Sequence, residues 1–219
     1  MSTPPFTLVH ADPRFYVVAK AAGIGFHREG DTPGLMDHLR EGLADTALWP
    51  VHRLDLVTSG LIVVARSAAV AAALGAAFAA HEVEKTYLAL SDRKPKKKQG
   101  WIRGDMVKAR GGAWRLTHTL EAPAVTRFDS ASLAPGVRLF MLYPQTGRTH
   151  QLRVALKSVS APILGDALYG GSPADRVYLH AYRLAFRLDG EAFAFTSPPS
   201  GGLFDTPALA DVLARERAG

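Results

Sequence analysis

His52, Arg53 and Asp55 fall within four residues of HRLDLVTSG (52–60), where Thr58-Ser59-Gly60 marks a turn before the apolar run GLIVVAR. A carboxylate on such a turn can be held against a bound substrate and act as nucleophile or base. The same aspartate can instead cap its own turn through a backbone N–H, and spacing alone does not choose. VEKTYLAL (83–90) puts Lys85 and Tyr87 on one face of a strand, because side chains alternate along it. A half-buried packing role would explain the tyrosine equally well. The third group is LYPQTGRTHQLRVALKSVSAPILGDALYGG (142–171), in which Arg148, His150 and Arg153 follow a Thr146-Gly147 turn. They sit near a predicted helix N-terminus, where backbone N–H groups favour anions; surface charge with a loop histidine is the plainer account.

The elements that must position these groups are mostly strands. FYVVAK (15–20), GLIVVAR (60–66), KTYLAL (85–90), VTRFDSASL (125–133), VRLFMLYP (137–144), YRLAFRL (182–188) and EAFAFTS (191–197) are β-branched, aromatic and partly alternating. Strand-like sequence begins already at Phe6, so no separate small N-terminal domain is expected. Four helices are predicted. One starts at a Thr32-Pro33 cap and runs to about Ala44, and a second is an alanine-rich stretch capped by Ser67 and ending near His81. HQLRVALKS supplies the third, and Asp205-Thr206-Pro207 opens the last. Strands outnumber helices and do not alternate with them strictly, which predicts an α+β fold with a mixed, mostly antiparallel central sheet.

The chain has 219 residues and no cysteine, so disulfides, thiolate chemistry and cysteine-bearing zinc sites are excluded. No H-E-x-x-H is present, no P-loop occurs, and Gly23 and Gly25 are followed by Arg28 rather than by the glycine of a dinucleotide fingerprint. Position 57 is Val, where a phosphoryl-transferring Asp55 would be joined by a second aspartate. No apolar run nears the ~18 residues of a membrane span, and MSTPPFTLVHAD lacks a signal pattern; the expected location is the cytoplasm.

Net charge is +6, but residues 93–115 hold nine Lys/Arg and one acid, Asp105, for a local +8, so the remaining chain sums to −2. Charge concentrated in this way suits a polyanion, although a solvated loop is the ordinary reading of a charge run. The segment is read as a basic loop insertion at about 92–115 in a single domain. Trp101 and Trp114 flank part of it and could stack on bases or anchor it to the core.

In order along the chain, HRLD followed by TSG, then K-x-Y, then TGRTHQLR with PILGD-x-x-YG, resembles the signature of RluA-type pseudouridine synthases. LVHADPRFYVVAKAAGIGFH and LHAYRLAF (179–186) are similar to that family's first and late motifs, so the likeness spans roughly residues 6–199. Two positions depart: Ala21-Ala22-Gly23 stands where the family commonly has a proline, and Ala155 where a histidine is usual. The resemblance implies isomerisation of uridine in rRNA or tRNA, with no cofactor and no metal, by a compact monomer. It makes Asp55 the catalytic carboxylate, Arg153 its ion-pair partner and Tyr87 the ring packed on a flipped base. Arg53 would fill the gap left in the RNA or hold its backbone, and Leu179 would line the base pocket. Lys85, Arg148 and His150 would bind substrate. His52, Thr58 and Ser59 would shape the loop, and Lys96, Lys97, Lys98, Arg103, Lys108 and Arg110 would meet backbone phosphates. The alternative from another class is a catalytically silent RNA-binding protein that retains the fold.

Overall fold

The computed structural model describes residues 4–218, and its chain separates into two compact units: residues 1–85 with 181–197, and residues 86–180 with 198–219. Both are α+β, and every strand register given below is antiparallel.

In the first unit, β1 (Phe6–Ala11), β2 (Phe15–Lys20) and β4 (Ser59–Ala65) pair in that order, with a bulge between Leu8 and His10. The short β3 (Trp49–Pro50) pairs with β4. β4 neighbours β11 (Leu179–Leu188), which forms a hairpin with β12 (Glu191–Thr196). Strands β2 and β4 are buried along nearly their whole length, which explains their continuous rather than alternating apolar sequence. Phe15, Val17, Leu61, Val63, Leu74, Leu184, Phe186 and Leu188 form one packed cluster. Leu74 comes from α2 (Ala68–Ala79), whose first turn is capped by the Ser67 hydroxyl accepting from the Val70 N–H.

Helix α1 (Leu35–Gly42) starts later than Thr32-Pro33 predicts. Thr32 and Glu29 exchange backbone hydrogen bonds across a tight turn, so Thr32 is not available as a cap. Gly34 takes that position, with the Asp37 carboxylate accepting from its N–H at 3.0 Å. A Cβ on Gly34 would run into the His27 backbone, so only glycine fits there.

In the second unit the order is β5 (Glu84–Ser91), β10 (Val137–Pro144), β9 (Ala124–Ala134) and β6 (Gln99–Gly104). The stretch read as a basic loop is largely structured: β6 is a sheet strand, and β7 (Met106–Lys108) and β8 (Trp114–Leu116) form a hairpin around a 3-10 turn at Arg110–Gly112. Short strands rich in Lys, Arg and Gly carry a weak β signal, and cross-strand pairing overrides it here. Helices α3 (Gln151–Ser158) and α4 (Pro207–Ala218) complete the unit. No helix among the described residues is long and apolar enough to cross a membrane.

Candidate active site

Asp55 lies on a turn whose carbonyl accepts from the Thr58 N–H at 3.0 Å. That turn is held from beneath by Lys20, the last residue of β2 and only 2% exposed. Its ammonium donates to the carbonyls of Ala21, Ile24 and Leu56 at 2.9, 2.8 and 3.2 Å. The Gly23 N–H also donates to Leu56 O, at 2.8 Å. A buried lysine is costly unless its protons are used, and here the three carbonyl bonds tie the loop after β2 to the Asp55 turn. Gly60 ends the turn at φ +110, and a Cβ there would overlap the Ala181 carbonyl.

His52 has a structural part in the same turn. Its Nε2 accepts from the Val63 N–H at 3.1 Å, and its ring stacks on Phe78 at 4.5 Å. Burial, with help from the Lys85 charge, pushes its pKa down to about 3, so the imidazole is neutral. Lys85 reaches over the same Phe78 ring at 5.6 Å, and burial lowers its pKa as well. Thr58 and Ser59 are buried and shape the loop; Arg53 is exposed on it.

Within the second unit, Tyr87 is half-buried on β5, across from Leu142 of β10. Leu179 is 2% exposed at the start of β11. Between these strands the PILGD segment is held by backbone bonds: Leu164 N–H to Leu90 O at 2.9 Å, Tyr178 N–H to Leu164 O and Leu90 N–H to Tyr178 O, both at 3.0 Å. This places Asp166, which meets Arg153 in a bidentate pair, Nε to Oδ2 at 2.7 Å and Nη2 to Oδ1 at 2.8 Å. The side chains are 7% and 1% exposed. The resemblance assigns Asp55 as the partner of Arg153; in the structure Asp166 occupies one whole edge of its guanidinium. Arg153 also lies over the Tyr169 ring at 4.9 Å.

The loop entering α3 is equally constrained. Gln151 is 6% exposed. Its Oε1 accepts from the Thr146 hydroxyl and the Arg148 N–H at 2.7 and 2.9 Å, while its Nε2 donates to Val125 O and Thr126 Oγ1 at 3.1 and 3.0 Å. His150 takes the left-handed φ of +56, which is uncommon outside glycine. Its Nδ1 lies 2.8 Å from the Tyr169 hydroxyl, which also accepts from the Trp114 N–H at 3.0 Å. Arg148 is exposed. Lys96, Lys97, Lys98, Arg103, Lys108 and Arg110 are all exposed too.

Lys20, Gln151, Asp166 and Tyr169 were not singled out as functional from the sequence. Asp166 and Tyr169 lie in the quoted PILGDALYG and Gln151 in HQLR, so the signal was position in a motif, not residue type.

The family model for RNA pseudouridylate synthase matches residues 14–158, and that range contains the whole 52–60 turn, β5 and α3. The chain belongs to the RNA pseudouridylate synthase family. It is an RNA pseudouridine synthase, an isomerase, of the RluA type. Its curated relatives include an uncharacterized RNA pseudouridine synthase of Haemophilus influenzae, 50% identical over 89% of this chain and 87% of that protein. Another is the dual-specificity RNA pseudouridine synthase RluA of Pasteurella multocida, 32% identical over 90% and 97%. In fold, the synthase resembles human RNA pseudouridylate synthase domain containing 1, with TM-score 0.80 and 24% identity over 100% of this chain and 97% of that one.

Proposed function

We propose that the chain converts specific uridines of rRNA or tRNA to pseudouridine, with Asp55 as the catalytic carboxylate. The reaction breaks the ribose C1′–N1 bond, turns the base and joins C1′ to C5; the C5 proton is lost and N1 gains one. Substrate and product are isomers, so the enzyme must supply position and one ionised carboxylate. The observation that carries the reading is the turn itself: a carboxylate on a loop that a buried lysine and a neutral histidine hold in place, in the family's own motif order. Preorganisation of this kind is what catalysis at a fixed carboxylate needs. By the family's motif order Tyr87 and Leu179 would bracket the flipped base, Arg53 would fill the gap it leaves or hold the RNA backbone, and Arg153 would be the arginine the family pairs with its catalytic aspartate. Lys85, Arg148 and His150 would bind the RNA around it. The choice of rRNA or tRNA follows relatives with names such as ribosomal large subunit pseudouridine synthase C and tRNA pseudouridine synthase C. The protein would work in the cytoplasm as a monomer, in need of neither metal nor cofactor.

Carbodiimide mapping by primer extension, on RNA from wild-type, deletion and Asp55→Ala cells, tests this. One or a few stops should vanish in the deletion and return only with the wild-type gene. Restoration of the same marks by Asp55→Ala would overturn the catalytic assignment.

A further inference from the structure

Strand register in the second unit sorts side chains onto two sheet faces. Tyr87 is across from Leu142, Leu142 from Phe128 and Phe128 from Gly100, so this row shares the face of Tyr87. The next row, Tyr143, Arg127 and Trp101, projects from the opposite face, with Arg103 two residues beyond Trp101 on the same side. Strand spacing of about 4.8 Å makes these side chains neighbours. The Arg127 guanidinium lies 4.0 Å over the Tyr143 ring, and Arg103 lies 5.0 Å over Trp101. Trp101 is 50% exposed, whereas Ile102 beside it on β6 is 7% exposed.

We infer that this reverse face is a stacking platform for single-stranded RNA, a second RNA-contact surface apart from the face that carries Tyr87. An indole left half in water and two guanidiniums set over aromatic rings present π surfaces that any base can stack on. The exposed Lys96, Lys97 and Lys98 lead directly into β6 and supply phosphate contacts at its entrance. Asp129 pairs with Arg127 at 3.0 Å and offsets that cation, so the strand's phosphates run on the side of Trp101, Arg103 and the lysines. Such a platform would grip unpaired RNA flanking the modified uridine, which rests on the synthase reading only for the identity of the ligand.

The test uses the full chain and a 12-nucleotide oligo(U) carrying 5-iodouridine. Ultraviolet cross-linking with peptide mapping should mark Trp101 in both the wild type and Asp55→Ala. With a dye-labelled oligo(U), Trp101→Ala should weaken binding about 5- to 100-fold, the range one lost base stack produces. Trp101→Phe should stay within about threefold, and Trp101→Ala should raise KM with little change in kcat on a converted RNA. Wild-type cross-links that bypass Trp101, or Trp101→Ala binding equal to wild type, would overturn the platform. Should Trp101→Ala fail to fold, the wild-type cross-link map decides alone. A cross-link at Trp101 in a protein that converts no RNA would sink the catalytic reading and leave the platform standing; conversion without that cross-link would do the reverse.

Discussion

Arg153 and Asp166 form a buried charge pair, and such pairs behave asymmetrically under mutation. Asp166→Ala would remove the bidentate partner of a buried guanidinium and should cost about 3–5 kcal/mol in urea unfolding, with Asp166→Asn milder because one hydrogen-bond acceptor survives. Lys20→Met removes the donor from three carbonyls. It should lower stability by about 1–3 kcal/mol and reduce conversion further than that loss explains, because the Asp55 turn is released. His52 gives a pH signature. Its folded pKa, about 3, lies below the ordinary 6.5. Above 6.5 both states are neutral and the residue makes no difference; below it the unfolded chain takes up a proton that the folded one refuses. Stability should therefore fall between pH 6.5 and about 3, by at most about 1.4 kcal/mol per pH unit from this residue. His52→Gln should flatten that part of the profile in pH-dependent urea melts.

At the scale of elements, β4 both ends the Asp55 turn and lies beside β11, which requires Gly60 at φ +110 against the Ala181 carbonyl. Gly60→Ala should destabilise by about 2–4 kcal/mol in urea melts, from positive-φ strain together with overlap on the neighbouring strand. The long strands were readable because their cores are apolar: β2 and β10 begin and end where the sequence predicts. The basic stretch was misread because β6 owes its existence to pairing with β9, residue by residue from Gln99–Asp129 to Gly104–Ala124. A strand stabilised mainly by its neighbour leaves little trace in its own composition. The start of α1 was misplaced for a similar reason, since the Glu29–Thr32 turn claims the threonine that would have capped it.

For the molecule as a whole, the charge distribution predicts how affinity responds to salt. The 93–115 segment carries +8 in a chain of +6, and its cations are exposed on a strand, a hairpin and the turn before them. Each phosphate contact adds about 0.7 to the slope of log K against log salt for single-stranded RNA. Replacing Lys96, Lys97 and Lys98 together by alanine should lower that slope by about 2, measured by anisotropy titration across salt concentrations. An unchanged slope would mean that these lysines are merely solvated.

The sequence by itself determined the class of chemistry: the order HRLD, K-x-Y, TGRTHQLR and PILGD is linear information, and so are the localised charge and the apolar strands. The turn that bears Asp55 was visible in the same way. Its supports were not. Lys20 near the end of an apolar strand and Asp166 in a loop look like ordinary surface residues until the chain folds. Only the tertiary structure gave the lysine three carbonyls to hold and brought the aspartate onto an arginine thirteen residues before it. The physical reason is burial: a charge removed from water must find partners, and which partners it finds depends on how loops close in space rather than on residue type or spacing.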